Sequence, residues 1–219
     1  MKDCRYEINY WTRQGEPTTV RSAVYDGGMP IAPAIQTKDM QATAITTDYV
    51  STFSGNRFYP LRPHIDRVAI EDIAHGLAYQ CRFNGQTKTC YSIAQHSLIV
   101  AGLVQPPLRL AALLHDAAEA YLGDMVKPLK VLMPEFAALE DQVTAIIAAT
   151  YGIDFSDYAP IKRADLIALA TEKRDLMPHS AERWAYLDGI APLPGIIVAM
   201  DPGEAKQCFL QRFHALHGA

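Results

Sequence analysis

Two histidines and two aspartates are spaced along this chain so that they could assemble one metal site. His96 lies in Tyr91-Ser92-Ile93-Ala94-Gln95-His96-Ser97, and nineteen residues later His115 is fused to Asp116 in Leu113-Leu114-His115-Asp116-Ala117-Ala118-Glu119. Forty-nine residues beyond Asp116 comes Asp165, in Lys162-Arg163-Ala164-Asp165-Leu166. Two imidazoles and two carboxylates from three helical segments make an N2O2 set for one divalent cation, with two positions left for water. Such a set suits metal-assisted hydrolysis. A lone His-Asp pair more often ends a solvated helix. This one follows the apolar run Leu110 to Leu114, so it is buried, and buried charges need partners. On a helix, residues 115 and 119 fall one turn apart on the same face. Glu119 would then stand beside a cation held by His115 and Asp116 without ligating it, where a general acid or base belongs.

The elements that must position these residues are helices. From Ile70 the apolar positions Ile73, Leu77 and Cys81 recur with helical period, which predicts a helix over about 69–82, with Glu71 and Asp72 in its first turn and Asn84-Gly85 ending it. Ser92 caps a second helix running to about Val104, in which Ile93, Val100 and Leu103 are buried. Pro107 opens the next, which carries Leu110, Leu113 and Leu114 to His115. Gly123 breaks the chain before a Lys127-Pro128 loop. Three further helices are expected, from Pro134 to about Tyr151, from Pro160 to about Leu176, and from Pro202 to about Leu216. Residues 1–50 lack helical periodicity and are rich in Thr, Asp, Gly and Pro, so they read as a loop-rich extension with a short strand or two. The expected fold is all-α, a helical bundle over 51–219 with a small irregular N-terminal extension over 1–50.

Composition narrows the function classes. With 49% hydrophobic and 20% charged residues, the 219-residue chain has the balance of a soluble globular protein. A formal charge of −4 argues against binding a nucleic-acid polymer. It is compatible with a phosphate-bearing small molecule, since a metal and a few local cations can set the field of a pocket. Cys4, Cys81, Cys90 and Cys208 form no C-x-x-C pair, which predicts a reduced protein and cytoplasm as the default location. There is no uncharged apolar run of membrane-spanning length.

His96, His115-Asp116 and Asp165 match the H…HD…D signature of the HD-domain metal-dependent phosphohydrolases. The resemblance extends further. Leu122-Gly123-Asp124-Met125-Val126-Lys127-Pro128-Leu129-Lys130 resembles a segment of the small bacterial 5'-deoxynucleotidases, and Arg82-Phe83 resembles their Arg-aromatic pair. The stretch from Ile70 through Phe83, with Tyr91 to Ser97, is similar to phage deoxyadenosine triphosphate triphosphohydrolases. The similarity covers roughly 51–180. It implies that His96, His115, Asp116 and Asp165 ligate one divalent ion (Mn, Co, Fe or Mg, with Zn compatible with the ligand types) and that Glu119 handles the attacking water. It implies that Arg82 holds phosphate, with Lys127, Lys130 or Lys162 as helpers. Asp124 would accept from the sugar 3'-hydroxyl, and Phe83 and Pro128 would pack on sugar or base. The deoxynucleotidases carry tryptophan after the arginine where this chain has Phe83, which can stack but cannot donate a hydrogen bond. Homologues of this kind often pair into homo-oligomers.

The function expected from the resemblance is hydrolysis of deoxynucleoside triphosphates. A 5'-deoxynucleotidase acting on monophosphates is the alternative, and a non-catalytic nucleotide sensor is the reading from another class. The sensor is disfavoured because all four ligands and Glu119 are present. A guanosine tetraphosphate hydrolase is disfavoured by Ala120 after Glu119, and a histidine-bridged second metal by the lack of histidine in 117–164. Outside the cage, His75 reads as a core histidine, and His179, His214 and His217 as incidental. Glu172 and Asp175 read as surface partners of Lys173 and Arg174.

Overall fold

A computed structural model describes residues 8–11, 17–20 and 48–218. The chain divides into two compact units, Met1–Ile45 and Thr46–Ala219. In the first, β1 (Ile8–Trp11) pairs antiparallel with β2 (Pro17–Val20), in a register that sets Ile8 opposite Val20. The rest of the expected extension, apart from 48–50, lies outside the described residues.

The second unit is an all-α bundle. A two-residue ladder, β3 (Val50–Ser51) with β4 (Arg57–Phe58), precedes the helices α1 (Ile70–Tyr79), α2 (Ile93–Leu103), α3 (Arg109–Leu113) and α4 (Glu119–Leu122). After them come α5 (Lys127–Lys130), α6 (Pro134–Tyr151), α7 (Ala159–Asp175) and α8 (Pro202–His217). The core is built where α1 packs on α8, α4 and α2, and where α2 in turn meets α3 and α7. Phe58, Ile73, Leu77, Ile93, Leu113, Ile161 and Phe209 are fully buried there. None of the described helices is long and apolar enough to cross a membrane.

The long helices follow their signals. Proline sits in the first turn of α6, α7 and α8, where its missing N–H costs nothing, and Gly152 closes α6 in the left-handed conformation with φ +64°. The Ser92 hydroxyl accepts from the Gln95 N–H at 3.2 Å and caps α2 as expected. Leu103 departs from expectation, since it is 36% exposed at the end of α2.

Three local differences shape the site. The first helix ends at Tyr79 rather than at Asn84-Gly85, because Gln80 is already extended and Cys81 bridges Ser92 across the chain. Arg82–Gly85 then forms a separate 3-10 turn in which Phe83 and Asn84 adopt φ +56° and +50°. This bridge also brings the Cys81 and Cys90 sulfurs within 3.1 Å, so two cysteines that are far from any C-x-x-C spacing meet as free thiols. The hydrogen bond to Cys81, with burial behind it, pushes the Cys90 thiol up to about 11. Finally, Lys127–Lys130 is a helical turn rather than a loop, with Pro128 in its first turn.

Candidate metal centre

The helix entering the His-Asp pair does not continue through it. α3 stops at Leu113, and residues 114–118 form turns closed by three-residue bonds, Ala117 N–H to Leu114 carbonyl at 3.1 Å and Glu119 N–H to Asp116 carbonyl at 3.0 Å. The expectation that His115 and Glu119 share one α-helical face is therefore replaced by a tighter turn. It still brings both side chains to buried positions, His115 at 8% and Glu119 at 5% exposure. Gly123 at φ +88° then caps α4 and redirects the chain toward Asp124, its N–H bonding the Glu119 carbonyl at 2.8 Å.

His96, from the first turn of α2, meets this turn. One ligand atom from each of His96, His115 and Asp116 lies within 4.8 Å of the others. The Asp116 Oδ2 is 3.2 Å from His115 Nε2 and 3.6 Å from His96 Nε2. Asp165, from α7, brings its Oδ1 to 3.3 Å from His96 Nε2, outside hydrogen-bonding geometry, while its Oδ2 accepts from Lys162 at 2.6 Å. The four expected ligands thus converge from α2, the turn after α3, and α7.

Whether these residues suit a cation is decided by the other faces of the imidazoles. The Nδ1 of His96 is 2.6 Å from Glu172 Oε1, and the Nδ1 of His115 is 2.8 Å from the Ala112 carbonyl oxygen. Both acceptors lack a proton to give, so each Nδ1 carries the hydrogen and each Nε2 is left to bind something else. Both Nε2 atoms are buried without a hydrogen-bond partner, and so is Glu119 Oε2. Native interiors leave few polar atoms in that state. Three of them around two aspartates fit a divalent cation.

The electrostatics agree with that fit. Burial and Arg82 push the His96 imidazole down, but Glu172 and the nearby Asp165 carboxylate outweigh them and raise it to about 9. A cation and a proton therefore compete for the same Nε2. Burial would raise Asp116 and Asp165, yet the neighbouring histidines, with Arg82 for the first and Lys162 for the second, hold both well below the usual carboxylate range. Glu119 goes the other way. Burial, followed by the charges of Asp116 and Asp124, lifts it well above that range.

Glu172 is the residue that sequence reasoning misplaced. It is fully buried rather than paired at the surface, and it accepts from His96 Nδ1 at 2.6 Å, Tyr91 Oη at 2.9 Å and Arg82 Nε at 3.3 Å. Burial opposes its charge, but Arg82 and His96 more than compensate, and it sits at about 2. The helical spacing of seven from Asp165 put it two turns along the same face of α7, a signal that was present in the sequence. Asp175 does pair with Arg174, at 2.6 Å. His75 lies outside the cage, stacked between Phe53 at 4.0 Å and Tyr79 at 4.4 Å.

A cavity of about 590 Å³ opens beside the cluster, lined among others by Asp116, Glu119, Asp165, Arg82, Phe83 and Asp124. Lys127, Pro128, Lys130 and Lys162 line it too. The arginine is only 11% exposed and is tied to Glu172 and, at 3.5 Å, to Asp116. Lys130 bonds Glu140 at 2.7 Å and stands 3.9 Å from Glu119. Trp184 and Tyr186, not singled out from sequence, line it as well.

No family model matches the chain. Two curated bacterial proteins are similar along most of their length. The protein YfdR of Escherichia coli K12, named as uncharacterized, is 39% identical over 169 residues, 77% of this chain and 95% of its own. An uncharacterized protein of Rhodobacter capsulatus is 37% identical over 182 residues, 74% of this chain and 92% of its own.

Proposed function

We propose that this chain, which belongs to the same family as YfdR of Escherichia coli and the Rhodobacter capsulatus protein, is an HD-type metal-dependent phosphohydrolase. Its substrates are deoxynucleotides, with deoxynucleoside triphosphates preferred. The observation that carries this reading is the pair of buried imidazole Nε2 atoms without hydrogen-bond partners, facing Asp116 and Asp165 beside the likewise unpartnered Glu119 Oε2.

His96, His115, Asp116 and Asp165 would hold the divalent ion, which supplies charge neutralisation at phosphate and acidifies a water. Glu119 accepts the proton of the attacking water, as a buried carboxylate beside the ligands rather than one of them. Arg82, fixed by Glu172, offers its guanidinium to the phosphoryl oxygens as charge builds on them. Lys127 lines the cavity as a helper for phosphate, with Lys130, held by Glu140, and Lys162, held by Asp165, beside it. The preference for the triphosphate rests on the resemblance of the Ile70–Ser97 stretch to the triphosphohydrolases. Asp124 accepts from the sugar 3'-hydroxyl. Phe83 and Pro128 form an apolar wall that would leave a 2'-hydroxyl without a partner, a cost of roughly 1–3 kcal/mol and so a ten- to hundredfold preference for deoxyribose.

The test is incubation with dATP, dAMP, ATP and AMP, each with Mn, Co, Mg or Zn, and separation of products by ion exchange. The expected result is metal-dependent cleavage of dATP with slower cleavage of ATP. Equal rates on ATP and dATP would sink the sugar argument, and free phosphate from dAMP alone would reverse the choice of bond.

A further inference from the structure

Between α7 and α8 the chain runs irregularly from Leu176 to Asp201, broken only by a 3-10 turn at Ala185–Leu187. This strap is pinned by side chains of two helices. From α7, Arg174 donates to the Leu193 and Gly195 carbonyls, Thr171 Oγ1 accepts from the Leu193 N–H at 2.9 Å, and Asp175 accepts from the Ile197 N–H at 2.9 Å. From α2, the Gln95 amide holds both the Val198 carbonyl, at 2.7 Å, and the Met200 N–H, at 2.8 Å. Gln95 is the neighbour of His96, and Thr171 and Arg174 lie within two residues of Glu172. The helices that build the metal cluster therefore also fix the strap.

What the strap brings to the cavity is aromatic. The Trp184 ring lies 6.2 Å from Phe83 and 5.9 Å from Tyr186, the latter pair stacked at an interplanar angle of 29°. All three rings line the same cavity as Asp116, Glu119 and Asp165. They stay partly open, with Tyr186 44% exposed and the other two half-buried. Each also has a cation near its face: Arg82 at 5.4 Å from the Phe83 centroid, Lys173 at 4.7 Å from Trp184 and Lys127 at 4.9 Å from Tyr186. A row of aromatic rings interleaved with cations, joined by one cavity to an anion- and metal-binding end, suits a ligand with a flat ring at one end and phosphates at the other.

We infer that Trp184 and Tyr186, together with Phe83, form the nucleobase subsite of this cavity and that purine nucleotides are preferred there. This rests on the phosphohydrolase reading for the phosphate end, and it adds the specificity-determining residues for the base end. A purine covers more of a three-ring row than a pyrimidine does, and stacking area sets the gain. Trp184 and Tyr186 lie on a segment far in sequence from Arg82-Phe83. An indole on the strap supplies the large stacking surface that Phe83 does not.

The experiment uses the full chain with Trp11→Phe, which leaves Trp184 as the single tryptophan of two. Its fluorescence is titrated, in the presence of Mn, with the α,β-methylene analogues of dATP and dCTP and with inorganic tripolyphosphate. Saturable quenching is expected from the dATP analogue, at several-fold lower concentration than from the dCTP analogue, with little from tripolyphosphate. Isothermal titration of Trp184→Ala should show binding of the dATP analogue weakened about tenfold or more, with tripolyphosphate binding unchanged. Trp184→Phe should restore most of the loss. Absent quenching in the Trp11→Phe protein, or a Trp184→Ala protein that binds the dATP analogue like the parent, overturns the inference. Turnover measured alongside separates the two readings. Quenching by the dATP analogue without hydrolysis of dATP supports the subsite and removes the hydrolase. Hydrolysis of dATP without quenching does the reverse.

Discussion

At the residue scale the functional weight falls on Glu172 as much as on the expected ligands. A carboxylate sealed from water is stable only with its donors in place, and here the donors are a cavity arginine, a candidate ligand and a tyrosine. Glu172→Ala strands Arg82 and frees His96 to rotate. It should cost about 3–5 kcal/mol in urea unfolding of the metal-free protein and weaken metal binding by about ten- to a hundredfold. An unchanged midpoint together with unchanged metal affinity would remove it from the site. Asp116→Ala and Glu119→Ala separate ligand from proton acceptor. The first should leave a helical protein with little bound metal, as read by circular dichroism and elemental analysis. The second should keep the metal and lose about two to four orders of magnitude in turnover. Loss of metal in Glu119→Ala would make it a ligand instead. That His96, His115 and Asp116 come together as a group able to hold a metal ion was legible from residue type and spacing, because metal chemistry restricts both. Glu172 was not, since its burial depends on the packing of α7 against α2, which a single sequence expresses only as a periodicity.

At the scale of elements, the approach of α1 to α4 sets the turn that carries Glu119. A Cβ built on Gly76 would lie 2.8 Å from the Ala120 carbonyl oxygen and 2.9 Å from its Cβ, both too close. Gly76→Ala must push α4 away, at a cost of about 1–3 kcal/mol, and because Ala120 adjoins Glu119, turnover should fall with stability. Gly102 in α2 gives the control, since nothing lies within 4 Å of a Cβ there. Gly102→Ala should be neutral or stabilise by about 0.5 kcal/mol, as a helical alanine does relative to glycine. Gly76→Ala should melt below the parent and Gly102→Ala at or above it, and a Gly76→Ala melt matching the parent would mean that the two backbones are not in contact. The long helices were legible because proline, glycine and serine mark their ends. The break at 114–118 and the 3-10 turn at Arg82–Gly85 were not. Both depend on contacts with other elements, the Cys81–Ser92 bridge among them, that override local helical preference.

Over the whole molecule, every residue of the proposed site lies in the unit Thr46–Ala219. That unit has its own buried core, from Phe58 to Phe213, and its own hydrogen-bonded strap. The similarity to YfdR takes up 77% of this chain and 95% of the relative. Residues 46–219 expressed alone should fold as a helical protein and bind one equivalent of metal. Their nucleotide turnover should lie within about twofold of the full chain, because no ligand, proton acceptor or cavity-lining residue has been removed. Circular dichroism, elemental analysis and the dATP assay read the three parts separately. A folded, metal-loaded fragment that has lost turnover would assign residues 1–45 a direct part in substrate binding. A fragment that fails to fold would make the N-terminal hairpin a structural requirement of the bundle.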